Sequence, residues 1–134
     1  MLKPTVRLCL WIPAALALVL VLAACAPTAG RPAVEFRASA EDIISEIAIY
    51  AVSQQPDPNM NFYSVESIGD RFVTLTSEST LGFSLFIGRM ETRLNFTAQQ
   101  RGDVTVPAAS GRGTNAGNEI DKFTLYLSSV FPRL

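Results

Sequence analysis

Histidine is absent from all 134 residues of this chain, and cysteine occurs only twice, at Cys9 and Cys25. Without histidine there is no Ser-His-Asp or Cys-His nucleophile system, and the commonest transition-metal ligand is missing. Basic residues are equally sparse. Eleven Lys and Arg stand against twelve Asp and Glu, and no cluster of positive side chains offers the footprint that DNA or RNA binding needs. The single tryptophan, Trp11, lies near the N-terminus. What the chain does have is an uneven distribution of apolar residues. Residues 8 to 24 are almost wholly Leu, Ala, Val, Ile and Pro, whereas the remainder is an ordinary polar and apolar mixture. The length suits one domain.

The N-terminal pattern is that of a targeting segment. Lys3 and Arg7 form a short positive region, and Leu8 to Leu22 an uncharged run of about fifteen residues, the length of a signal-peptide core. A permanent span wants about twenty apolar residues, and Pro13 sits inside this run. Leu22-Ala23-Ala24-Cys25 closes it. Over residues 1 to 25 the chain resembles bacterial lipoproteins, whose lipobox is Leu, two small residues and Cys. The resemblance implies cleavage between Ala24 and Cys25 and a diacylglycerol thioether on the Cys25 sulfur. Each buried CH₂ contributes about 0.8 kcal/mol, so two or three acyl chains of the palmitate kind hold a protein at a membrane almost permanently. It implies too that Ala26, where such families carry Asp for inner-membrane retention, favours the outer membrane in a cell that has two. Cys9 would leave with the leader and Cys25 would be acylated, so the mature chain would hold no free thiol and no disulfide. Loss of Lys3 and Arg7 leaves nine basic and twelve acidic side chains, a net charge of −3.

Three regions follow: a signal peptide over 1–24, a lipidated cysteine with a tether and a short strand over 25–38, and a single α+β domain over 39–134. Ala26 to Ala33 carries two prolines and a glycine and reads as spacer, while Val34-Glu35-Phe36-Arg37 alternates like a strand. Ser39, with Asp42 three residues later, resembles a capping box. Ile43, Ile44, Ile47 and Ala51 then recur at helical spacing, which predicts a helix over 40–53 that ends before Pro56.

From 61 to 110 the signals are those of strands. Residues 62–68 and 71–77 flank Gly69-Asp70, and 83–87 and 90–99 flank Gly88-Arg89. The second pairing would put Phe83, Leu85, Ile87, Met90, Leu94 and Phe96 on one face. A three-residue turn at 101–103 would lead into 104–110 with Val104 and Val106 on that same face. Pro107 to Asn118 reads as a loop. Ile120, Phe123, Leu127, Val130 and Phe131 form one stripe of a helix over 118–131. The expected architecture is a two-layer sandwich, an antiparallel meander of four to five strands with an N-terminal and a C-terminal helix on one face.

The chemistry-bearing motifs are weak. Glu66 and Asp70 flank one turn but show no partner, and Asp57 with Asn59 is too small a set of oxygens for calcium. Gly111-Arg112-Gly113-Thr114-Asn115-Ala116-Gly117 approximates a dinucleotide fingerprint but is one residue too long, and no acidic residue follows at the required distance. Asn95-Phe96-Thr97 matches a glycosylation sequon inside a strand. No catalytic residue, metal site or cofactor is expected. With helices on one face, Phe62, Tyr63, Phe72 and Phe86 are the candidate partner surface on the other.

Two readings follow: a non-catalytic envelope lipoprotein that binds a protein partner or supports an envelope assembly, and a carrier or sensor of a small apolar ligand. The order of elements over roughly 95 residues is similar to that of small lipoproteins assisting lipopolysaccharide assembly at the outer membrane, a likeness of fold that rests on no motif.

Overall fold

The computed structural model describes residues 33–134, so the expected leader, lipobox and most of the tether lie outside the described residues. The elements are α1 (Ala40–Ala51), β1 (Ser64–Ile68), β2 (Phe72–Glu78), α2 (Leu81–Ile87), β3 (Glu91–Arg101), β4 (Val104–Gly113) and α3 (Ala116–Val130). One open antiparallel sheet runs in the order β1-β2-β3-β4, with α1 and α3 packed against one face. The α+β two-layer architecture is therefore as expected.

Helix α1 forms where its signals predict. Ser39 is extended and its Oγ accepts a 3.1 Å bond from the Asp42 amide, which satisfies one of the unpaired amides of the first turn. Gln100 reaches from β3 to accept a second bond from the Ala40 amide. Ile43, Ile44, Ile47 and Ala51 are all buried. The domain starts earlier than residue 39. Phe36 is completely buried and exchanges backbone hydrogen bonds with Thr105 along the free edge of β4, while the Thr105 hydroxyl donates to the Ala38 carbonyl. The strand expected at 34–37 is reduced to Phe36, which bridges Thr105 on one side and Arg133 on the other.

The expected hairpin 83–87/90–99 is not formed. Leu81–Ile87 is a helix, and β3 pairs instead with β2 and with β4. Each strand has two edges for hydrogen bonding, and both edges of β3 are taken, so the 83–87 run has no ladder to join. It coils instead after Thr80, whose carbonyl accepts from the Ser84 amide and hydroxyl, and it stops at Gly88 with φ +97°.

Two further corrections concern β4. The turn into it has two central residues, Gly102 and Asp103, because Arg101 pairs with Val104 and Gly102 takes φ +66°. One residue fewer in a loop sends every following side chain to the opposite face. Thr105 is consequently buried, and Val104 and Val106 point away from the helices. The strand also continues through the expected loop to Gly113. Gly111 and Gly113 are required by close approach: a Cβ on Gly111 would lie 2.8 Å from Leu94 and 3.1 Å from the Ala116 methyl, and one on Gly113 would lie 1.9 Å from the Glu91 carbonyl oxygen. Gly111 lets strand and helix meet and Gly113 lets β4 close on the β3 backbone, so the fingerprint-like spacing has a packing cause.

Val73, Leu75, Leu94, Phe96 and Ala98 form the inner face of the sheet, and Phe123 and Leu127 of α3 press on it beside α1. The centre of the outer face is polar, with Phe72, Val104 and Val106 toward its edges: Arg93 pairs with Glu66 and approaches Glu91 at 3.8 Å, and Thr74 donates to Asn95 at 2.9 Å. Phe36 tests the domain boundary. Phe36→Ala should cost about 3–5 kcal/mol of stability, as deletion of a fully buried ring does, measured by urea unfolding. A loss below about 1 kcal/mol would return the boundary to residue 39.

Candidate interaction surface

The residues expected on one exposed aromatic face are dispersed. Tyr63 is buried and faces the helices, contrary to expectation. Its hydroxyl donates a 3.0 Å bond to Glu119 Oε2, and the Lys122 ammonium donates to Oε1 at 3.1 Å. Glu119 lies on the core side of α3 at 5% exposure, so these two donors satisfy a carboxylate that would otherwise be costly to bury. Burial, and then the Glu119 charge and the hydrogen bond, hold the Tyr63 phenol well above its ordinary range. Phe72 is on the outer face at the β1–β2 turn, over Gly69, whose place a Cβ could not share with the ring. Phe62 is 56% exposed and lies beside the root of α2, where residues 59–61 hydrogen-bond to 78–80. Phe86 is 90% exposed, on α2 and not on the sheet. Of the four, Phe62 and Phe86 are the two exposed near α2. Cys25 and Ala24 lie outside the described residues.

The surface that emerges is α2 itself. Its seven residues are Leu-Gly-Phe-Ser-Leu-Phe-Ile, and none is buried. Leu81, Leu85, Phe86 and Ile87 are exposed by 66–90%. Burial of each would contribute about 1.5–3 kcal/mol, so leaving all of them in water forgoes several kcal/mol. Ser84 faces the body, where its hydroxyl meets Ser79 at 2.6 Å, and the Met90 amide donates to Ser79 Oγ. The Ser84 hydroxyl is thus turned inward with Phe83 half-buried beside it, and Leu81, Leu85, Phe86 and Ile87 are turned outward. No charged residue occurs from Ser79 to Gly88, and the flanking Glu78 and Arg89 are paired with each other. Beside α2, a cleft of about 300 Å³ is lined by Asn61, Phe62, Ser64, Thr76, Ser77 and Glu78.

Sequence reasoning missed Leu81, Leu85 and Ile87. The available signals were Thr80 before the run and the absence of polar alternation within it, both outweighed by Gly88-Arg89 as a hairpin sign. The remaining motif residues have local partners. Glu66 is held by Arg93, Asp57 Oδ1 accepts from the Asn59 amide at 2.8 Å, and Asn95 accepts from Thr74. Among the described residues no group of acidic, cysteine or histidine side chains is arranged to hold a metal ion, and no helix is long and apolar enough to cross a membrane. Comparison with protein-family models, characterised proteins and solved structures finds no match.

The buried phenol has a pH consequence. Its folded pKa is raised, so the stability it carries is present below the unfolded tyrosine value of about 10 and is lost as pH rises beyond it. Tyr63→Phe should cost about 1–3 kcal/mol at neutral pH, since Glu119 loses one donor, and should flatten the alkaline fall in stability. Chemical denaturation across pH 8–11 checks both, and an unchanged alkaline slope would refute the assignment. On α2 the expectation is opposite: Phe86→Ser should change unfolding free energy by less than about 0.5 kcal/mol, because the ring packs on nothing.

Proposed function

We propose that this chain is a lipid-anchored protein of the bacterial cell envelope that works by contact and not by catalysis, with α2 and Phe62 as its contact element. The observation that carries the reading is the exposure of Leu81, Leu85, Phe86 and Ile87 on one short, uncharged helix, since contiguous apolar side chains on a folded surface mark sites of interaction. The resemblance of residues 1–25 to bacterial lipoproteins supplies the location. Cys25 would bear the acyl chains, Ala24 would be the last residue removed, and Ala26 favours the outer membrane. Such a protein binds a partner in the envelope or braces an envelope assembly.

The alternative, a carrier or sensor of a small apolar ligand, requires room between helices and sheet. That space is occupied by Ile43, Ile44, Ile47, Leu75, Leu94, Phe123 and Leu127, each 2% exposed or less, and this packing favours the contact reading. Absence of histidine and engagement of Glu66 and Glu119 with basic partners support a non-catalytic role.

Replacement of the expected lipidation residue tests the reading. Cys25→Ser should yield an unprocessed precursor without acyl mass, read by mass spectrometry of the membrane fraction. Normal maturation of that variant between residues 24 and 25 would contradict the lipoprotein assignment.

A further inference from the structure

We infer that the occupant of the α2 surface is the lipid bilayer itself, so that α2 is a second, peripheral membrane contact beside the acyl anchor; this rests on the lipoprotein reading above.

The direction of the chain is the first argument. Thr105 lies near the start of β4, which runs from the Gly102 turn toward the end of the sheet that carries α2, where Gly113 faces Thr92. Phe36 pairs antiparallel with Thr105. Followed backward from Phe36 to Ala33, the chain therefore heads toward the α2 end. Strand residues advance about 3.3 Å and strands lie about 4.8 Å apart, which puts the root of α2 about 25 Å from Ala33. The eight residues 25–32 can extend about 27 Å. A lipid on Cys25 and the tip of α2 can thus reach one membrane surface together, without unfolding any described element.

The chemistry of α2 is the second argument. A bilayer accepts apolar side chains when the backbone is satisfied internally and no charge is carried in. The Ser84 and Gly88 amides bond to Thr80 and Ser84 carbonyls, and the Ser84 hydroxyl is retained by Ser79 and Thr80. The segment from Ser79 to Gly88 has no charge, and the Glu78–Arg89 pair at its root would sit at headgroup level. The shape agrees: Leu81, Leu85 and Phe86 project outward from a helix that buries nothing, as a lipid surface accepts, whereas a protein partner would have to supply a matching groove. Attachment through Cys25 also raises the local concentration of α2 at the bilayer, so that a contact too weak to bind alone becomes populated.

The mature chain would carry no tryptophan, since Trp11 falls within 1–24, so an introduced indole is a unique reporter. Acylated Phe86→Trp protein is purified and reconstituted into phosphatidylethanolamine–phosphatidylglycerol vesicles, with acylation confirmed by intact mass and attachment by flotation. Brominated lipid should quench the indole about twofold with a blue-shifted emission, as for a side chain at the acyl boundary. Leu125→Trp, on an exposed position of α3, should stay unquenched. An acylated, floating protein whose Phe86→Trp indole is unquenched overturns the inference and leaves the lipoprotein reading standing. A blue shift without quenching, or equal quenching at both positions, likewise overturns it, the first in favour of a protein partner or second copy and the second in favour of general adsorption. A chain found unacylated removes the lipoprotein reading and this inference together.

Discussion

The ring of Phe123 is the contact on which every layer of this domain depends. It meets Tyr50 of α1 and Tyr63 edge-on at 5.2 Å and 5.9 Å, lies tilted by 45° against Phe96 of the sheet at 5.2 Å, and is wholly buried. Edge-to-face pairs of this kind add to the area term and fix relative orientation. One turn earlier on the same helix, Glu119 receives Tyr63. Tyr50 also stacks on Tyr126, whose hydroxyl donates to Glu46 and closes α1 against α3. These contacts seat both long helices on one side of the sheet. The other side carries the Glu66–Arg93–Glu91 group with threonine and asparagine side chains, and Phe72, Val104 and Val106 beside them.

Legibility from sequence followed how strongly each element declares its period. The stripe Ile43, Ile44, Ile47 and Ala51 and the stripe Phe123, Leu127 name their helices because each points at the core. Ile120 and Phe131 pack on that core from partly buried positions and Val130 is exposed, so the second stripe buries fewer side chains than its spacing predicts. The β4 face was misassigned because it depends on one residue of loop length at Gly102-Asp103, a geometric quantity with no side-chain signature. Tyr63 reads as surface aromatic in a run that is apolar on both faces. Its inward orientation becomes evident only when Glu119, fifty-six residues away in sequence, is set opposite.

The misread of 81–87 has a physical cause that also bears on function. Leu, Phe and Ile in an unbroken run normally signal burial, and a hairpin was the local way to bury them. The observed fold satisfies β3 on both edges without this segment and leaves it to coil as an exposed helix that interrupts the expected helix–meander–helix order. Sequences violate the rule that large apolar side chains belong inside mainly where a partner surface completes them. The inner face of the sheet is packed, and Leu81, Leu85, Phe86 and Ile87 lie exposed together on this one short helix.

The proposed role requires α2 to be covered when the protein is in place and bare when it is not. Amide hydrogen exchange of residues 81–88, compared between the acylated protein in vesicles and the unacylated chain in buffer, measures this directly. Marked slowing is expected across α2 in vesicles while the amides of β2 and β3 are unchanged. Equal exchange of α2 in the two states would contradict it.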